Sequence, residues 1–292
     1  MILLTPSHWQ DYELIDSGGF EKLERFGNYI LARPEPQAVW NRSLSQEEWA
    51  RLSNAVFLFE KSDPEKGRWI LKKGMPEQWW ITYTYGGLSI RFRLGLTAFR
   101  HIGIFPEQAE NWDYIYKFLS ESPFKQSRVL NLFAYTGGAS LAARAAGAEV
   151  VHVDSVKPVI SWSRENMEGS ELTDIRWVVE DALKYVKREV RRGNKYQGII
   201  LDPPAYGRGA DGEKWVLDQN INEMVEQCSH LLDTENSFFL LNMYSIGFSA
   251  LVADNLVNSY FKTFKSKEMG ELYLSDKNAK RLPLGTFLRF TT

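Results

Sequence analysis

Residues 128–147 read RVLNLFAYTGGASLAARAAG. The run from Val129 to Phe133 is short and mostly apolar, as in a strand buried on both faces. Small residues follow at Thr136, Gly137, Gly138 and Ala139. The alanine-rich segment after them reads as a helix that stops at Gly147, a favoured C-cap residue. Strand, glycine turn and helix form the opening unit of a doubly wound α/β domain. In such a unit the glycines let backbone approach a ligand, and the helix start offers unpaired N–H groups.

A second strand, residues 149–153, ends in Asp154. A carboxylate there is placed to hold both hydroxyls of a ribose. A nucleoside-containing cofactor follows, either a dinucleotide or S-adenosylmethionine (SAM). The turn decides between them. A dinucleotide requires G-x-G-x-x-G to bring backbone against a pyrophosphate. Here Gly137 and Gly138 stand adjacent after Ala134, Tyr135 and Thr136, and SAM has no phosphate to cradle.

Downstream the alternation is regular. Helix signals cover residues 157–167, the stretch up to Gly193, 215–232 and 248–260, and strand signals cover 175–179, 197–201 and 237–242. Two closing strands, near 268–273 and 286–290, flank a polar, basic turn at 276–281. This predicts a Rossmann-like, doubly wound, mostly parallel seven-stranded sheet with one antiparallel strand near an edge. It occupies residues 96–292.

Residues 1–95 look different. Short β-favouring runs at 29–32, 55–59, 79–85 and 88–94 are separated by glycine and proline turns. Gly86-Gly87 predicts a hairpin. Ser45 and Glu48 form a capping box before Trp49. A small, mostly β N-terminal domain with one short helix is expected, available for substrate recognition. Its Lys61, Lys66, Arg68, Lys72 and Lys73 are diluted by Glu60, Asp63 and Glu65 and read as a solvated loop. Residues 96–127 are the joint, with an amphipathic helix at 111–120 that turns Trp112, Ile115, Tyr116 and Leu119 to the core. Phe105, Pro106, Glu107 and Gln108 precede it, and the proline stiffens a polar turn suited to folding over a ligand.

The chain has 292 residues and a formal net charge of -2, so any polyanion contact must be local. One cysteine, Cys228, leaves no disulfide framework and fits a reducing compartment. No apolar run reaches membrane-spanning length, and the N-terminus lacks the basic start of a signal peptide. A cytoplasmic protein is expected, with no membrane partner and no DNA. The four histidines show no metal spacing, so no metal is expected.

In a doubly wound sheet the ligand lies outside the carboxyl ends of the strands. The polar residues there are Asn131 and the turn from Tyr135 to Gly138, then Asp154 and Ser155, Asp181 and Ala182, and Asp202. Acids at three successive strand ends are costly without partners. Ribose hydroxyls would partner Asp154, and an adenine amino group would partner Asp181, which also suits a helix N-cap. Asp202-Pro203-Pro204-Ala205-Tyr206 is the sharpest signal. Two prolines fix the loop and aim the Asp202 carboxylate at one point, where it would orient the lone pair of a target nitrogen. Tyr206 offers a stacking surface for a flat base. Arg208, Arg191, Arg192 and Lys195 lie near enough in sequence to meet phosphates.

The series LNLFAYTGG, VDS, VEDAL and LDPPAYG resembles the class I SAM-dependent methyltransferases. Within them it is similar to the bacterial 23S ribosomal RNA large-subunit methyltransferases, which modify cytosine C5 or guanine N7. The resemblance covers roughly residue 96 to the C-terminus. It implies SAM as cofactor, ribosomal RNA as substrate, and a HIGIFPEQ segment that helps enclose the cofactor. The family often carries an RNA-binding PUA domain at its N-terminus, and none is recognisable in residues 1–95. Asn166 matches a position where the family often has asparagine. Cytosine-C5 transfer needs a cysteine adduct. The chain has DPPAY and LNMYS where that cysteine would stand, and Cys228 falls inside a helix. In-line transfer to a nitrogen, or secondarily to an oxygen, without an enzyme adduct, is therefore expected. The alternatives are a protein or small-molecule methyltransferase and a non-catalytic RNA-binding protein of the same fold.

Overall fold

The computed structural model describes residues 1–60, 63–123, 126–209, 212–244 and 247–292, so Lys61 and Ser245 lie outside the described residues. Strand β1 (Ile2–Leu4) is followed by β2 (Tyr12–Gly18), β3 (Glu21–Phe26), β4 (Tyr29–Pro34), helix α1 (Gln46–Leu52), β5 (Ala55–Glu60) and β6 (Asp63–Leu71). Strands β2 to β6 form one five-stranded sheet in sequence order. The predicted capping box opens α1. Lys72 closes it, because its ammonium donates to the carbonyls of Ala50 and Arg51. The expected basic loop is therefore not a loop throughout: Lys66 and Arg68 lie in strand β6, Lys72 is a helix cap, and the side chains of all three and of Lys73 are exposed.

Strands β2 and β3 have no apolar alternation because inward positions carry charge, Asp16 in β2 and Lys22 and Glu24 in β3. Lys22, Glu24, Arg33 and Glu35 are all buried, and they neutralise one another. Arg33 meets Glu24 at 2.7 Å and Lys22 meets Glu35 at 3.2 Å. The predicted hairpin is β7 (Gln78–Tyr85) with β8 (Leu88–Gly95). Gly86 and Gly87 both take positive φ, +56° and +96°, as a two-residue hairpin turn requires.

A 3-10 turn, Pro106–Gln108, leads into α2 (Ala109–Ser120). The alternating half follows: β9 (Arg128–Leu132), α3 (Gly138–Ala145), β10 (Glu149–Asp154), α4 (Lys157–Gly169), β11 (Ile175–Val179), α5 (Ala182–Arg191) and β12 (Gly198–Leu201). Then come β13 (Tyr206–Arg208), β14 (Lys214–Val216), α6 (Leu217–Leu231), β15 (Phe238–Met243), α7 (Ala250–Tyr260), β16 (Ser266–Ser275) and β17 (Arg281–Thr291). The main sheet runs β1-β16-β17-β15-β12-β9-β10-β11, and only β17 is antiparallel to its neighbours. The seven predicted strands are present, and β1 adds an eighth beside β16. Gly270 makes that addition possible, since a Cβ there would stand 1.7 Å from the carbonyl oxygen of Ile2.

One apolar cluster runs from the β7–β8 hairpin through Trp112 and Ile115 of α2 to Leu141 of α3. A second fills the opposite face of the sheet with Tyr185 of α5, Met224 and Cys228 of α6 and Val257 of α7. The polar turn between β16 and β17 docks on the N-terminal sheet rather than standing in solvent. Ser17 donates to Asp276 at 3.0 Å, and the Lys280 ammonium donates to the Asn41 carbonyl at 2.6 Å.

One boundary differs from the sequence reading. Trp215 does not open a helix. It lies in β14, which pairs antiparallel with β13. The Asn220 side chain accepts from the Val216 N–H at 2.8 Å, so helical geometry begins only at Leu217.

Candidate active site

Parallel register sets the site. Leu132 of β9 pairs with Val153 of β10 and Leu201 of β12, and Leu201 pairs with Leu241 of β15. The next residue of each strand is Phe133, Asp154, Asp202 and Asn242. These four stand along one carboxyl edge. The sequence reading does not single out Asn242, though a polar residue closing the apolar run FFLL is the signal for it.

The glycine turn is strained. Phe133 and Tyr135 hold φ of +55° and +48°, and Gly137 holds +95°. Such a conformation costs a non-glycine residue on the order of 1–3 kcal/mol. Asp154 supports it: one carboxylate oxygen accepts from the Tyr135 N–H at 3.0 Å and the other from Val156 at 2.9 Å. Burial raises the Asp154 carboxyl above its usual range, and those two donors oppose the rise. The Thr136 hydroxyl donates to the Gly103 carbonyl at 2.7 Å, Ser163 donates to the Tyr135 carbonyl at 2.7 Å, and Asn166 donates to the Thr136 carbonyl at 2.9 Å. Asn166 thus braces the turn from beneath. Ala134 is buried, and its N–H donates to the Val153 carbonyl at 3.1 Å.

Asn131 is not at the edge. Its amide donates to Ser140 at 2.9 Å, and Ser140 lies 3.0 Å from His152 Nδ1. The structure places Asn131 in a buried polar chain under α3. Burial lowers His152 to about 3, so it stays neutral between two serine hydroxyls.

The segment before α2 closes over the turn. The Phe105 ring centroid lies 5.3 Å from that of Tyr135. The Pro106 carbonyl accepts from the Trp9 indole at 3.0 Å, which ties the segment to the N-terminal region. Glu107 is buried, and desolvation lifts its carboxyl to about 7 against the pull of Lys22. Gln108 Oε1 accepts from the Asn111 amide at 2.9 Å and from the Asn242 amide at 3.0 Å, and Asn111 also donates to Asn242 Oδ1 at 3.1 Å. Three side-chain amides, two from the start of α2 and one from β15, thus lock one another at the β15 end.

The Asp202 loop is held differently. The Trp215 indole donates to the Pro204 carbonyl at 2.8 Å, and the Leu217 N–H donates to the Ala205 carbonyl at 3.0 Å. Ser155 donates to the Arg208 carbonyl at 3.0 Å and so latches the β13–β14 hairpin to the end of β10. Pro203 is buried and Pro204 exposed. Asp202 is half-buried; among the described residues none donates a hydrogen bond to it, and desolvation pushes its carboxyl up to about 7. Tyr206 is 76% exposed. Asp181 caps α5 through the Lys184 N–H at 2.8 Å, with Ala182 buried behind it. Cys228 is fully buried in α6, where desolvation raises its thiol far above the usual range. Among the described residues no cluster of His, Cys, Asp and Glu is arranged to hold a metal.

The profile of the S-adenosylmethionine-dependent methyltransferase family matches residues 34–264. The chain belongs to this family. The match begins within the β-rich N-terminal region, well ahead of the motifs that carry the resemblance. A solved SAM-dependent methyltransferase from Agrobacterium tumefaciens is 35% identical, with 100% of this chain and 93% of that one covered at a TM-score of 0.91. Ribosomal RNA large subunit methyltransferase K/L of Shewanella frigidimarina is 30% identical over 56% of this chain and 22% of its own length. Ribosomal RNA large subunit methyltransferase I of Aeromonas salmonicida is 33% identical over 36% of this chain and 26% of its own length. The chain thus spans about a quarter of these two relatives. It has the mixed α/β fold of that family, with a mainly parallel central sheet. No described helix is long and apolar enough to cross a membrane.

Proposed function

We propose that this methyltransferase acts on a base nitrogen of structured RNA, ribosomal in origin and cytoplasmic, by direct in-line transfer without a covalent enzyme adduct. The observation that carries the reading is Asp202, a desolvated carboxylate with no described hydrogen-bond donor, on a double-proline loop beside an exposed tyrosine. The names of the curated relatives favour RNA.

SAM supplies an activated methyl group on a positive sulfonium. The residues present fit it. Each Asp154 oxygen already accepts one backbone N–H and keeps a lone pair for a ribose hydroxyl. Asp181 keeps acceptor capacity for an adenine amino group beside Ala182. Phe105, Pro106 and Gln108 would cover the cofactor, and Tyr135, Thr136, Gly137 and Gly138 would line its amino-acid end. Asp202 would accept the N–H of the target and aim the nitrogen lone pair at the methyl carbon. Pro203 and Pro204 fix that aim before substrate arrives, and Tyr206 stacks on the base. Positioning of this kind lowers the barrier without a nucleophilic side chain.

The test is single-turnover transfer to RNA run beside SAM titration for Asp202→Ala and Tyr206→Ala. Asp202→Ala should lose rate with RNA bound, and Tyr206→Ala should lose RNA affinity by roughly 1–3 kcal/mol. Both should keep most of their SAM affinity. If SAM binding falls in step with activity in both, the loop clamps cofactor and the acceptor assignment is wrong.

A further inference from the structure

We infer that the cleft between α5 and α6 carries the single-stranded RNA segment flanking the modified nucleotide; this rests on the RNA reading above. The cleft has a volume of about 570 Å³. One wall is α5, whose Lys184, Lys187 and Arg191 recur at helical spacing and all line it. Lys214 of β14 faces them. Two neighbouring cations, Arg188 of the helix and Arg192 at its C-cap, are committed elsewhere. Arg188 is forked onto Glu180, and Arg192 meets the buried Glu189 at 3.0 Å. The sequence alone could not separate these two sets.

The acids around the cleft do not cancel the charge. Asp181 keeps its negative charge at the N-terminal end of the cleft, where it caps α5, and Glu213 meets Lys184 at 3.2 Å, which leaves the cations in excess along the rest of the wall. Lys187 meets Glu223 at 2.6 Å, but both side chains are 44% exposed. Exposed pairs are weak and readily exchange for a phosphate. Among the described residues Arg191 and Lys214 make no ion pair.

The cleft is continuous with the acceptor loop through the hairpin. Tyr206 pairs with Val216, and Arg208 stands directly across from Lys214. An exposed ring at one end and cations along the path are what a single strand needs, a stacking platform and a basic track for its backbone. With a net charge of -2 over the whole chain, the track is a local feature. Because it adjoins the Asp202 loop rather than containing it, it grips flanking nucleotides and sets affinity, not the chemical step.

The test uses the full chain with Lys187→Gln, Arg191→Gln and Lys214→Gln combined, and Lys117→Gln, on α2 across the sheet, as a control. RNA affinity is measured against salt concentration, single-turnover transfer at saturating RNA, and SAM affinity by calorimetry. The triple variant should bind RNA on the order of tenfold more weakly. Its salt slope should flatten by about 2, roughly 0.7 for each phosphate of a single strand that is no longer neutralised. Its saturated rate and SAM affinity should match wild type. Unchanged RNA affinity and slope overturn the inference and leave the RNA reading standing. Weakened SAM affinity overturns it too, because the cleft would then be the adenine pocket. If the wild-type enzyme methylates no RNA, the substrate reading fails first and the cleft assignment with it.

Discussion

Asp202 and Asn242 stand side by side at the carboxyl edge of the sheet, each one residue beyond the pairing of Leu201 with Leu241. The amide is committed to Gln108 and Asn111, while the carboxylate has no described donor. A rigid neighbour and a bare acceptor suit a group that must be held still until a substrate N–H arrives.

That bare carboxylate makes stability depend on pH. Burial moves Asp202 from 3.8 up to about 7 in the folded protein. Between those values the folded state holds a proton that the unfolded chain has released, so this group makes stability fall as pH rises through the interval. Asp202→Asn removes the penalty. Its melting temperature should gain on wild type as pH goes from 5 to 8, in thermal unfolding of the two proteins side by side. A difference that stays flat across that range contradicts the desolvation of the Asp202 carboxyl.

Asp154→Ala should weaken SAM binding by about 1.5–3 kcal/mol, the range for hydrogen bonds to a charged group. It should also lower the melting temperature, because Tyr135 and Val156 lose their acceptor where Tyr135 is already strained. Calorimetry giving the same SAM affinity in the mutant would rule out the ribose assignment.

Gly138→Ala tests the packing behind the turn. A Cβ there would stand 2.7 Å from the Trp112 ring. Trp112 is buried and packed against Phe92 at 5.0 Å, so it has little room to retreat. A loss of about 1–3 kcal/mol is expected from overpacking, read by denaturant unfolding. An unaffected midpoint would show that α2 and α3 separate freely.

Cys228→Ala should leave turnover close to wild type. The thiol is fully buried in the α6 layer, raised far above the thiolate range, and remote in sequence from every strand end of the site. Loss of methyl transfer with folding intact would reinstate a covalent step.

The edge carboxylates were legible because a polar residue closing an apolar run has few other uses. Asp154, Asp181 and Asp202 follow that rule, and Asn242 would have too. Asn131 follows a different one: it sits inside its strand, and only packing under α3 reveals that its amide is spent on Ser140. The β13–β14 hairpin was hidden because its strands are three residues long and its anchors, Pro204 to Trp215 and Ser155 to Arg208, are tertiary. Strands β2 and β3 were hidden because buried charges replaced the apolar alternation that marks a strand. The link from Gln108 to Asn242 joins residues 134 positions apart, beyond any local pattern.

The most direct measurement is methyl transfer from labelled SAM to ribosomal subunits and bulk RNA, with the product nucleoside identified after digestion. The expected result is a label on a base nitrogen, formed equally by wild type and Cys228→Ala. A 5-methylpyrimidine product that disappears in Cys228→Ala, or no label in RNA at all, would contradict it.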